Sequence, residues 1–164
     1  MSKKDMSNSK NYLVDDIAKM DKRVELKIRV DAGALLPVYK NVGDAGADLH
    51  SLEELVIPPM ERRIVKTGLY FEIPFGYEVQ IRSRSGLAAK DGIFVLNSPG
   101  TIDSSYRGEI KVILQNFSDE AFVINKGDRV AQMVIAPVCY MPFVTVDSLE
   151  ISDRGVGGFG STGV

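Results

Sequence analysis

Carboxylates, hydroxyls, arginines and glycines gather in five stretches of this chain, and those are the groups that bind and cleave phosphates. In "SRSGLAAK" (83–90), Arg84, Ser85 and Gly86 stand where a strand-like run gives way to a helix-like one. Amides at a helix start, a guanidinium and a hydroxyl make an anion site, although serine is also an ordinary N-cap there. In "GIFVLNSPGTIDSSYRGEIKV" (92–112) two β-like runs flank a long irregular connection. Backbone amides in such a mouth can read the edge of a base, and Tyr106 can lie flat against a sugar. Asp103 is the natural general base, needing only to hold a water. A decorated hairpin with a surface aspartate reads the same way. "DAGADLHS" (44–51) sets Asp48 at the start of a strand after a glycine turn, where aspartate serves turn chemistry equally well. "GDRVAQMVIAP" (127–137) is a turn and a core strand, with Gln132 as an odd polar member.

The fifth stretch, "RGVGGFGSTG" (154–163), holds five of the 15 glycines with one Arg, one Phe and two hydroxyls. It reads either as a frayed Gly-rich terminus or as a mobile lid. As a lid, Arg154 and the hydroxyls would grip phosphate while Phe159 covers a base.

Other chemistries lack their materials. One histidine and one cysteine cannot build a zinc site from His/Cys clusters, and a Ser–His–Asp triad would rest wholly on His50, which alternation points to solvent. A net charge of −2 and a pI near 5.5 give no standing attraction to nucleic acid or an anionic membrane. The longest apolar run, 133–144, is 12 residues with two prolines, too short and broken to span a bilayer. A lone Cys139 and an N-terminus without an apolar signal stretch fit a cytoplasmic protein.

The elements that must position these groups are strands. Val and Ile total 31 against 12 Leu, and β-branched side chains suit a pleated surface. Short runs recur at 24–30, 55–58, 62–74, 77–83, 92–97, 109–116 and 129–138, with Gly, Pro and Asp turns between them. This predicts an all-β fold, a sandwich or barrel of short strands, with one short helix over 86–93. Residues 1–23 carry ten charges and place Leu13, Ile17 and Met20 at helical spacing, an N-terminal extension that is either a peripheral helix or frayed. The body is 24–152, and the tail is 153–164.

Taken in order, "AGADLHS", "RSGLAAK", "NSPGTIDSSYRGEI", "GDRVAQMV" and "RGVGGFGSTG" resemble the five motifs of the trimeric dUTPase family (deoxyuridine triphosphate nucleotidohydrolases). The resemblance runs from about Val24 to Val164. Ser83 departs from it, standing where many members have proline. The resemblance implies a distorted jelly-roll homotrimer whose three active sites are shared at subunit boundaries. It implies Mg²⁺-assisted hydrolysis of dUTP to dUMP and pyrophosphate, which keeps uracil out of DNA and supplies dUMP for thymidylate synthesis. Carried over by residue, Arg84, Ser85 and Gly86 bind phosphates. Asn97, the backbone of Thr101, Ile102 and Asp103, and the opposing strand near Lys111 receive uracil. Tyr106 lies beneath deoxyribose and excludes a 2′-hydroxyl, Asp103 orients and activates the attacking water, and Gln132 touches the phosphates. Asp48 meets metal-bound water. In the tail, Arg154, Gly160, Ser161 and Thr162 contact the substrate, the γ-phosphate among their targets, and Phe159 covers uracil. The dCTP deaminases share this fold but need a different acid/base set from "TIDSSYRG".

Overall fold

The computed structural model describes residues 24–158. Among them ten strands and one short helix follow in the order β1 (Lys27–Val30), β2 (Ala47–His50), β3 (Leu55–Ile57), β4 (Arg62–Glu72), β5 (Tyr77–Arg82), α1 (Ser85–Asp91), β6 (Ile93–Val95), β7 (Gly100–Ile102), β8 (Glu109–Asn116), β9 (Phe122–Ile124) and β10 (Arg129–Pro137). The period-two pattern is clearest in β8, where Ile110, Val112, Leu114 and Asn116 are buried and Lys111 is exposed. β7 and β9, three residues each, are too short to stand among the runs the sequence predicts. The residues from 138 to 158 form no strand, and the expected end of the last strand moves back to Pro137.

Every strand pairing is antiparallel. One sheet runs β1-β4-β8-β6, a second β2-β10-β5-β7, and β3 with β9 makes a small third ribbon. A single apolar core unites them: Val65, Leu69, Phe71, Ile110, Val112 and Leu114 come from the first sheet and Leu49, Val79, Ile81, Val130 and Met133 from the second. Burying such side chains contributes roughly 1.5–3 kcal/mol each before the entropy of ordering is subtracted. No helix among the described residues is long and apolar enough to cross a membrane.

Each of the two larger sheets places part of the chemistry. The second sheet strings the chemical stretches side by side: β2 carries Asp48, β10 carries Gln132, β5 runs into Arg84, and β7 runs into Asp103. In the first sheet the β4–β8 register shifts between Lys66 and Leu69. At that bulge the Thr67 hydroxyl donates to the Ile110 carbonyl (2.5 Å) and the Gly68 amide to the Glu109 carboxylate (3.1 Å). The start of β8, just after Tyr106, is thereby pinned.

Candidate functional site

Asp48 is 6% exposed, and a buried carboxylate must be paired. Its backbone is fixed from both sides, by an isolated bridge to Val38 and by register with Gln132 of β10. Its side chain accepts from Arg84 Nε (3.2 Å) and Gln132 Nε2 (3.4 Å) on Oδ1 and from Arg129 Nη1 (3.1 Å) on Oδ2. A second guanidinium nitrogen of Arg84 donates to the Arg129 carbonyl (3.2 Å). Gly46 permits this closeness, because a Cβ there would come 3.3 Å from Gln132 Cβ. The result is a polar cavity of about 460 Å³ in which Lys40, Arg84, Arg129 and Gln132 surround Asp44 and Asp48. Arg84 also occupies the N-cap of α1 with extended backbone and no side-chain cap; the Ala88 amide donates to its carbonyl (3.0 Å), while the amides of Ser85, Gly86 and Leu87 before it have no intrahelical partner. Ser83, the departure from the family pattern, accepts the Val95 amide on its hydroxyl (2.9 Å) and ties this corner to β6.

His50, two residues after Asp48 on the same strand, is half-buried rather than fully open to solvent as alternation predicts. Its Nδ1 is buried without a hydrogen-bond partner among the described residues. β2 is buried at three successive positions before it, so the period-two rule has no solvent face to act on. Burial pushes the imidazole below its usual range, Asp48 acts against this, and Arg129 and Arg84 add to it.

The second cluster lies in a cleft of about 290 Å³ lined by Ile64, Thr101, Ile102, Asp103, Tyr106, Glu109, Lys111 and Ile113. β7 supplies Thr101 and Ile102, the turn after it Asp103 and Tyr106, and β8 Lys111. Asp103 is exposed; its carbonyl accepts the Tyr106 amide (3.1 Å). Among the described residues no side-chain hydrogen bond or ion pair engages its carboxylate. Lys111 sits 3.5 Å from Glu109. Asn97 is exposed at the entry to β7, close enough that a Cβ on Gly100 would meet its amide nitrogen at 3.2 Å.

These two clusters do not meet within one chain. Val79 pairs with Ile102 and Arg82 pairs with Gln132, so Asp103 follows β7 to a point opposite Glu78, near the Tyr77 end of β5, and Arg84 lies past the other end. At about 3.3 Å per residue that is roughly 20 Å of strand between them. Arg154, exposed, donates to the Gly157 carbonyl (2.8 Å) and lines neither cleft. Phe159, Gly160, Ser161 and Thr162 lie outside the described residues, as do residues 1–23.

Comparison with known proteins gives this arrangement a context. A family model described as dUTPase matches residues 33–163. The chain belongs to the dUTPase family. It is 59% identical over 141 residues to the deoxyuridine 5'-triphosphate nucleotidohydrolase of Nautilia profundicola, covering 85% of this chain and 99% of that one. The enzyme of the same name from Anaplasma marginale is 56% identical over 140 residues, covering 84% and 95%. Among solved structures, the dUTPase of Staphylococcus bacteriophage 80alpha with dUPNHPP superposes with a TM-score of 0.80 at 29% identity, covering 85% of this chain and 99% of that chain. A mutant dUTPase from S. aureus phage phi11, which shows the coordination of a structural Mg(II) ion, does so with a TM-score of 0.71 at 27% identity, covering 77% and 99%. The fold is therefore the family's jelly roll, as the motifs predict.

Sequence reading of this dUTPase-family chain missed Arg129. It passes for a turn residue in "GDRV", and only the pairing of β10 with β2 reveals that it shares a carboxylate with Arg84. Lys40, in a loop without regular structure, carries no sequence signal.

Proposed function

We propose that this protein hydrolyses dUTP to dUMP and pyrophosphate, at sites completed by a second copy of the chain. The observation that carries the reading is the division of the site residues into a cationic half around Asp48 and an open half around Asp103, at opposite ends of β5. One substrate triphosphate with its base can use both halves only if they come from neighbouring subunits. A second observation supports assembly. Beyond the stacked rings of Phe75 and Tyr140 (5.4 Å), the chain exposes Met141, Phe143, Val144, Leu149, Ile151 and Val156. Large apolar side chains exposed along one segment mark an interaction surface. A homotrimer, each copy receiving this arm from another, accounts for both.

In this reading uracil enters the mouth formed by Asn97, the backbone of Thr101 to Asp103 and the strand at Lys111, and deoxyribose rests on Tyr106. The phosphates reach Arg84, Ser85, Gly86 and Gln132 of the next copy. Asp103 holds a water in line with the α-phosphate and takes its proton as the bond forms, while pyrophosphate leaves with the bridging oxygen. Arg154, Phe159, Gly160, Ser161 and Thr162 close over the nucleotide and exclude bulk water, which strengthens each of these contacts.

Among the described residues no three His, Cys, Asp or Glu side chains gather to hold a bare cation. Asp48 keeps one lone pair on Oδ2 beyond those given to Arg84, Arg129 and Gln132, which suits contact with a metal-bound water but not direct ligation. Mg²⁺ brought in by the triphosphate fits that donor set, and when bound it would neutralise phosphate charge. Turnover of dUTP keeps uracil out of DNA and yields dUMP, a task for the cytoplasm.

Mixing inactive chains tests the division. Asp103→Asn and Arg84→Gln proteins, each inactive alone, are unfolded and refolded together at equal amounts, and pyrophosphate release is followed on dUTP, dCTP, dTTP and UTP. Random trimers should place both intact halves together at about a quarter of sites and recover that share of dUTP activity. No recovery after verified subunit exchange would put both halves in one chain, and ammonia from dCTP would make the protein a deaminase.

A further inference from the structure

We propose that Arg107 and Gly108 determine sugar selectivity, by locking the Tyr106 ring so that it cannot yield to a 2′-hydroxyl. This rests on the proposed hydrolysis of dUTP with Tyr106 beneath the sugar. Neither residue faces the cleft that holds Asp103: the lining passes from Tyr106 to Glu109. Their effect must be exerted through the tyrosine.

Three contacts hold that ring. Its hydroxyl donates to the Glu109 carbonyl (3.2 Å). Its ring lies across Gly108, so close that an added Cβ would stand 2.6 Å from Tyr106 Cζ and collide with the hydroxyl. Only glycine leaves room for this placement. The third contact is on the main chain, where Arg107 Nη1 donates to both the Ser104 carbonyl (2.7 Å) and the Tyr106 carbonyl (2.9 Å). With the Tyr106 amide bonded to the Asp103 carbonyl, the segment from 103 to 109 is a closed turn tied by one guanidinium. Arg107 itself lines a different groove, with Lys27, Arg29, Tyr70 and Glu72.

Tyr106 is 44% exposed, and an exposed tyrosine ordinarily changes rotamer on the ps–ns scale. A ring free to swing would move aside for the extra oxygen of a ribonucleotide, and steric exclusion would be lost. Fixing the phenol end, the ring face and the backbone carbonyl removes that escape. Arg107 is a positioning residue, and Gly108 is the space the ring requires.

The test compares Arg107→Gln, Arg107→Lys and Gly108→Ala with the unaltered protein, measuring kcat/KM on dUTP and UTP and the affinities of dUMP and UMP by calorimetry. In Arg107→Gln the dUTP:UTP ratio should fall by about tenfold, the scale of one lost charge-assisted hydrogen bond. The dUMP:UMP affinity ratio should fall with it. Arg107→Lys, which keeps a cation able to reach both carbonyls, should restore most of the ratio. Gly108→Ala should lower the ratio at least as far; if it does not fold, the Arg107 pair decides. Equal losses on both nucleotides, with the ratio unchanged, would show a merely structural role and overturn the proposal. An unaltered protein that turns over no dUTP would instead remove the hydrolase reading on which the proposal rests, and that is seen before any variant is made.

Discussion

Asp48 and Asp103 are the same amino acid in opposite circumstances. Asp48 is buried and spends its oxygens on two arginines and a glutamine, contacts that span 36, 81 and 84 residues of sequence. Asp103 is exposed, on a turn held by backbone, by Arg107 and by the Tyr106 hydroxyl, and among the described residues its carboxylate has no partner. The contrast separates two requirements. Guanidiniums that must receive a polyphosphate need orientation before it arrives, and a shared buried carboxylate supplies that at the cost of the carboxylate's own freedom. A group that must accept a proton keeps its lone pairs free until water and substrate are in place.

The sharpest way to break this contrast is to neutralise the free carboxylate. Asp103→Asn should lower kcat by about 1,000-fold, within the usual range for a lost general base. Affinity for a non-hydrolysable dUTP analogue should stay within about twofold and thermal stability within about 0.5 kcal/mol, since an exposed side chain without partners is replaced by an isostere. Pyrophosphate release, calorimetry and thermal melting measure the three. A marked loss of stability or of binding would mean that Asp103 is held as firmly as Asp48 and is no free base.

Asp48→Ala should show the reverse pattern. It leaves two guanidiniums without their anion; Arg84 is 20% and Arg129 42% exposed, so water screens part of the loss and the cost is about 2 kcal/mol rather than that of a fully buried pair. Melting should drop by roughly 4–8 °C. KM for dUTP should rise on the order of tenfold as the arginines lose their orientation, with kcat changed less. An unchanged melting temperature would show that the arginines need no organiser.

How legible these two regions are depends on how far apart their parts lie in the chain. The Asp103 turn is contiguous, so Tyr106, Asp103 and the flanking strands could be read as a unit from 92–112, and β8 begins and ends where its alternation predicts. The Asp48 cluster exists only after β2 has found β10 and β5 has delivered Arg84, and no local pattern announces that Arg129 will share a carboxylate with Arg84. Short edge elements fail for a simpler reason. β7 reads Gly-Thr-Ile after a proline and β9 reads Phe-Val-Ile; three residues are too few to display a period. The distance between the two halves is hidden from the motifs as well, and only the pairing of β5 with β7 and β10 sets them about 20 Å apart.

His50 gives the finest measure of the buried side of the comparison. Its imidazole sits beside Asp48 with its Nδ1 closed off, and burial, aided by Arg129 and Arg84, holds its affinity for a proton below that of an unfolded chain. In the interval between the lowered folded value and the ordinary 6.5, the unfolded state binds the proton and the folded state does not. Stability therefore rises with pH across that interval. The contribution is complete above 6.5 and is lost as the pH falls toward the folded value. His50→Gln should flatten the slope of melting temperature against pH near and below 6.5 while leaving the melting temperature above pH 7 little changed. Because half-buried histidines retain some contact with water, this difference should be smaller than the effects of altering either aspartate. A slope identical in the two proteins would mean that the imidazole titrates as freely as on an open strand, and that the Asp48 cluster stops short of its neighbour.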